Sequence, residues 1–125
     1  WVYGVECAFT QYRDSGIMAI SFGCDRENLD RCLKLIDREI ARIQEKALSE
    51  AALRAARKQL LGQLAISGDN GETQCLSMGK SLLAFGRVTA DEETRELLYS
   101  VTAEDIMNTA RSIFAPGCVS RLVYL

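Results

Sequence analysis

The sequence predicts an α+β fold: a small, mainly antiparallel sheet, made of a hairpin and a C-terminal strand, covered on one face by four or five helices. Three observations carry that expectation. Trp1, Tyr3, Val5, Cys7 and Phe9 alternate with smaller or polar residues, the period-two pattern of a half-buried strand. From about residue 26 to 114 the apolar residues recur instead at three- and four-residue spacing, the pattern of amphipathic helices. After Pro116-Gly117 a short run, Cys118 to Leu125, returns to strand-like composition. Long helical crossovers between strands place helices on one face of such a sheet.

The first strand ends at Gln11-Tyr12-Arg13-Asp14-Ser15-Gly16, where Asp and Ser favour a type I turn and Gly16 suits a positive-φ bulge residue. The second, Ile17 to Cys24, puts Met18, Ile20, Phe22 and Cys24 on one face and closes a hairpin. Asp25 is the expected N-cap of a helix reaching Glu45 or Lys46, with Leu29, Cys32, Leu33, Ile36, Ile40, Ile43 and Ala47 as its apolar stripe. Glu27 with Arg31, and Asp30 with Lys34, stand four apart with the acid first, the favoured order on an exposed helix face. Ser49 caps a second helix whose inward face is Leu53, Ala56, Leu60, Leu61 and Leu64.

Two glycines and an Asn-Gly pair in Ser67-Gly68-Asp69-Asn70-Gly71 interrupt the helical path. A third helix then covers Glu72 to Ala84, with Gly86 as C-cap. Asp91 to Tyr99 forms a short fourth helix. Thr102-Ala103-Glu104-Asp105 opens a last one reaching Phe114, with Ile106, Met107, Ala110 and Ile113 inward.

Composition excludes several function classes. The 15 basic and 17 acidic residues are mixed along 125 positions, so there is no basic stripe for nucleic acid. No apolar run approaches a membrane span, and the charged face of the 26–47 helix carries both signs, which does not suit a membrane surface. The five cysteines are widely spaced with no Cys-x-x-Cys pair, as expected for small hydrophobes in a reducing compartment. With 0 histidines, the sequence lacks Ser-His-Asp and Cys-His catalysis and the usual ligands of catalytic zinc. The expected metal and catalytic residues within it are therefore none. Met78-Gly79-Lys80-Ser81 lacks the earlier glycine and the preceding strand of a phosphate loop, and reads as part of a helix. Glu92-Glu93 and Glu104-Asp105 lie in first helical turns, where they favour the macrodipole rather than acid–base work. Opening in the middle of a strand, the chain is expected to be a piece of a larger protein, with residues 1–125 completed by an upstream part.

An ordered set of strings resembles one family. These are Tyr3-Gly4-Val5, Asp14-Ser15-Gly16, Phe22-Gly23-Cys24-Asp25 with Asn28-Leu29, and Leu48-Ser49-Glu50 followed by Leu53 to Gly62. Gly86-Arg87 and Val101 to Ile106 complete the set. The whole chain resembles the C-terminal, non-zinc-binding segment of the insulinase-like, mitochondrial-processing-peptidase-like zinc metallopeptidases (inverzincins). The resemblance implies a metallohydrolase-like α/β repeat of a clam-shell protease. Another repeat would carry His-x-x-Glu-His and the zinc, whose bound water attacks the peptide bond.

In this half of such enzymes an arginine followed by a tyrosine holds the substrate backbone. Tyr3 stands at the tyrosine's place, and the arginine would precede Trp1. A phenol aimed beforehand can donate to a peptide carbonyl or its developing oxyanion. Periodicity alone makes Tyr3 a core-facing residue of the first strand. The implied partners are the zinc-bearing half of the same protein or a partner subunit, and a peptide substrate. An oligomer is compatible with the family. The expected compartment is the bacterial cytoplasm, with the periplasm as the alternative. The competing reading is a non-catalytic partner or structural core subunit of the same family.

Overall fold

The computed structural model describes residues 1–12 and 14–124. Two strands, β1 (Gly4–Gln11) and β2 (Gly16–Gly23), are followed by one 3₁₀ turn at Arg26–Asn28. Five helices follow: α1 (Leu29–Glu45), α2 (Glu50–Gly68), α3 (Gly71–Phe85), α4 (Asp91–Ser100) and α5 (Ala103–Ile113). The class is α+β, as the sequence predicts. The chain divides into two compact units. One holds Trp1–Arg42 and the residues from Ile113 onward, the other Ile43–Ser112.

In the first unit β1 and β2 pair antiparallel with Val5 opposite Phe22, Cys7 opposite Ile20 and Phe9 opposite Met18. Directly opposed residues share a face, so the two alternating sets meet on one side of the hairpin. Gly16 serves a different purpose from the one expected. Its φ is not positive. It pairs with Gln11 inside the ladder, and a Cβ there would sit 3.1 Å from the Phe9 ring. Glycine here spares the Phe9 ring a small shift and supplies no turn conformation. Arg13 of the expected turn lies outside the described residues.

Helix α1 presents its anticipated stripe: Cys32 is buried, and Leu29, Leu33, Ile36, Ile40 and Ile43 are half-buried, while Arg31, Lys34, Asp37 and Arg38 are exposed. The expected final strand does not form: residues 119–124 carry no regular secondary structure. A strand exists only when its backbone groups find a ladder, and among the described residues the sheet contains β1 and β2 alone. This segment is tied instead to α1 by the Arg121–Asp37 ion pair. Leu125, the end of the expected strand, lies outside the described residues.

In the second unit the ends of the helices are closed by their own side chains. Ser49 accepts from the Ala52 N–H at 3.2 Å, and Asn70 from the Thr73 N–H at 3.0 Å. Thr102 and Asp105 cap α5 reciprocally. The Thr102 N–H donates to Asp105 at 2.8 Å, and the Asp105 N–H donates to Thr102 Oγ1 at 3.1 Å. Gly86 ends α3 with φ 71°, the left-handed cap that glycine adopts without a Cβ penalty. Leu53 and Ala110 are buried, and Ile106, Met107 and Ile113 are half-buried as the stripe of α5. The expected α2 face is only partly covered: Ala56, Leu60 and Leu64 are exposed.

That exposure has a measurable scale. Two separate folded units of this combined mass would expose about 8,000 Å², whereas the chain exposes 10307 Å². Val5, Phe9, Ile17, Leu76, Leu83 and Phe85 are among the open apolar side chains. The periodicity marks these faces for burial, and burial needs a second surface.

Candidate functional site

Tyr3 sits immediately before β1, and its backbone N–H donates to the Gly23 carbonyl at 2.8 Å. The ladder's register ends at Gly4 opposite Gly23, and this bond returns Tyr3 to the same Gly23, which precedes Cys24 and Asp25 in the chain. The phenol hydroxyl donates to Asp25 Oδ1 at 2.5 Å, between residues 22 apart in sequence. One ring edge lies 3.5 Å from where a Gly23 Cβ would be, so the ring passes over that glycine on its way to Asp25. The rest of the side chain is open, and the residue is 79% exposed. Like Val5 and Phe9 of the same face, Tyr3 is exposed, and it alone of the three carries a hydrogen-bonded polar group.

Asp25 has the extended backbone of an N-cap (φ −63°, ψ 147°), yet its side chain caps no helical N–H. Its carboxylate goes to Tyr3. The bond and the carboxylate's charge hold the Tyr3 phenol above its ordinary ionisation, so it stays protonated across neutral pH. Next to it, partial burial beside Cys32 pushes the Cys24 thiol up, away from the reactive thiolate form.

Trp1, two residues before Tyr3, is held in a parallel way: the Arg31 guanidinium lies 3.2 Å from its ring centroid. Arg31, expected to pair with Glu27, turns to the aromatic ring instead. Tyr3 is thus tethered to the segment that joins β2 to α1, and Trp1 to the first turn of α1. Shallow depressions flank this point, one lined by Asp25, Arg26 and Glu27, the other by Gly4, Val5, Glu6, Ser21, Phe22 and Gly23.

A phenol has one proton and two lone pairs. While the Asp25 bond stands, Tyr3 offers lone pairs to a peptide N–H; once it breaks, the same hydroxyl can donate to a carbonyl. Among the described residues no group of three or more His, Cys, Asp or Glu is placed to hold a metal ion. Met78 to Ser81 lie inside α3, and Glu92, Glu93, Glu104 and Asp105 in the first turns of α4 and α5, as expected. No helix among the described residues is long and apolar enough to cross a membrane.

Sequence reasoning singles out Tyr3 and misses the two side chains tied to it and to Trp1, Asp25 and Arg31. The hairpin brings the two ends of the ladder together, with Gly4 opposite Gly23, and that closeness was the available signal.

Comparison with known proteins places these residues. A family model described as the Peptidase M16 inactive domain matches residues 1–60. An uncharacterized zinc protease of Rickettsia felis is 30% identical over 121 residues, which are 97% of this chain and 29% of that protein. Mitochondrial-processing peptidase subunit beta of Caenorhabditis elegans is 25% identical over 114 residues, 91% of this chain and 25% of its own length. The crystal structure of the periplasmic protease PqqL from Escherichia coli shares the fold, with a TM-score of 0.63 and 20% identity over 88% of this chain and 12% of that one. The chain spans less than a third of the curated relatives it matches.

Proposed function

Because the chain belongs to the insulinase-like, mitochondrial-processing-peptidase-like zinc metallopeptidases, as their C-terminal, non-zinc-binding segment, we propose that it forms part of a substrate chamber in a peptide-hydrolysing parent protein. Its own role is to complete the chamber wall and contact the substrate backbone through Tyr3. Zinc and water activation belong to another part of the parent or to a partner subunit. The carrying observation is the Tyr3 side chain itself: 79% exposed, yet held by a hydrogen bond at the end of its strand. Val5 and Phe9 of the same strand are open as well; what sets Tyr3 apart is its fixed hydroxyl, a polar handle that suits recognition. The surface excess supports the second half of the reading, since apolar faces this open suit a chain that packs against more protein.

The test is Tyr3→Phe in the zinc-loaded parent protein. Loss of the held hydroxyl should lower kcat/KM for peptide hydrolysis roughly tenfold while zinc content stays unchanged. Undiminished turnover would return Tyr3 to a packing role. A second reading, a non-catalytic partner or core subunit, is favoured by the likeness to a processing-peptidase subunit. Activity that appears only when a second, zinc-bearing chain is added would select it.

A further inference from the structure

Asp25 is the residue whose placement the fold leaves unexplained. At the N-cap position a carboxylate ordinarily accepts from the N–H groups of the first turn. Here the backbone adopts the cap conformation, with the Asn28 N–H donating to the Asp25 carbonyl at 2.9 Å, while the side chain caps nothing. Oδ1 instead accepts the Tyr3 hydroxyl at 2.5 Å. Apart from the edge over Gly23, Tyr3 is open to solvent. An open tyrosine at a strand end would otherwise distribute over its rotamers. The carboxylate converts it into a group with one direction, and charge-assisted bonds of this kind are stronger than neutral ones.

We infer that Asp25 is a positioning residue for Tyr3, holding the phenol aimed before a peptide arrives. The inference rests on the reading of Tyr3 as a substrate contact and deepens it. A pre-aimed group recovers in binding and turnover what a mobile one loses in ordering. Arg31, in the first turn of α1, holds Trp1 at the same end of the strand, so the β2–α1 connection and the start of α1 together hold two exposed aromatic residues.

The experiment compares Asp25→Ala, Asp25→Asn, Tyr3→Phe and the Tyr3→Phe/Asp25→Ala double variant in the zinc-loaded parent protein. Peptide kcat/KM is measured together with Tyr3 ionisation, followed as the ¹³Cζ-tyrosine signal that Tyr3→Phe removes. The expected result is a loss of about three- to tenfold in Asp25→Ala. Asn, which keeps an acceptor oxygen, should recover part of it. The double variant should be no worse than Tyr3→Phe, and the Tyr3 ionisation should fall toward its ordinary range in both Asp25 variants. An ionisation that stays where it is would show that the Tyr3–Asp25 contact does not form in solution, which overturns positioning; the split between structural and positioning roles is read from turnover and from the double variant. If Tyr3→Phe lowers turnover while Asp25→Ala leaves it unchanged, positioning is overturned. If Asp25→Ala raises it, Asp25 competes with substrate for the hydroxyl and positioning is overturned as well. If Tyr3→Phe itself has no effect, the substrate-contact reading is at fault, and the positioning role falls with it.

Discussion

The two units use their polar side chains differently. In the second unit, long-range hydrogen bonds run from side chains to backbone carbonyls. Arg57 donates to Tyr99 O at 3.0 Å and Val101 O at 2.5 Å, closing the end of α4. Arg111 donates to Gln44 O at 2.7 Å, at the end of α1. Helix ends leave carbonyls without intrahelical partners, and these arginines satisfy them. In the first unit the comparable ties run from side chain to side chain: Tyr3 to Asp25, Arg31 to Trp1, Arg121 to Asp37. Bonds of the first kind hold backbone in place. The first two ties of the other kind aim exposed aromatic groups. The difference separates ties that close backbone from ties that join exposed side chains.

The largest effect should come from Leu53, one of the few buried side chains of the second unit. Leu53→Ala should cost about 2–3 kcal/mol of stability in a denaturant or thermal melt. Below the transition it should leave Tyr3-dependent turnover intact; a selective loss of turnover would break the separation between the units. Arg57→Met should follow at about 1–2 kcal/mol, because two carbonyls lose a charged donor. Thr102→Ala should cost about 1 kcal/mol through the lost cap and raise amide exchange at the start of α5. Tyr3→Phe should alter the melt least, within about 0.5 kcal/mol, although it is expected to affect turnover most.

Titration sharpens the contrast through opposite signs. Hydrogen bonds from Thr102 hold the Asp105 carboxyl below its ordinary range, and the Arg87 guanidinium does the same for Glu93. Their contribution is present above the unfolded carboxylate range and is lost as pH falls through the lowered folded values. Tyr3 is raised, so its contribution is present below the ordinary phenol range and lost as pH rises through the raised value. Hydrogen exchange across pH should therefore show the starts of α4 and α5 loosening on the acid side and the Tyr3 end of the hairpin on the alkaline side.

Local order was legible because its causes are local. Alternation and the turn between Gln11 and Gly16 determined the hairpin and which residues share a face. Ser49, Asn70, Gly86 and Thr102 marked helix ends because capping depends on three or four consecutive residues. The stripe of α1 and that of α5 followed from period alone. Tyr3 as a site came from a resemblance between strings, with no contribution from spacing.

Only the tertiary structure decided what those elements meet. It turned Asp25 from a helix cap into the holder of Tyr3, since a carboxylate with two available donors takes the one the chain's path brings to it. It also explained Gly16 by the Phe9 ring, which lies across the ladder. And it left the α2 face and the hairpin open, and the residues after Cys118 outside any ladder. A sequence pattern states that a face is suited to burial; a second surface must be present before the burial occurs.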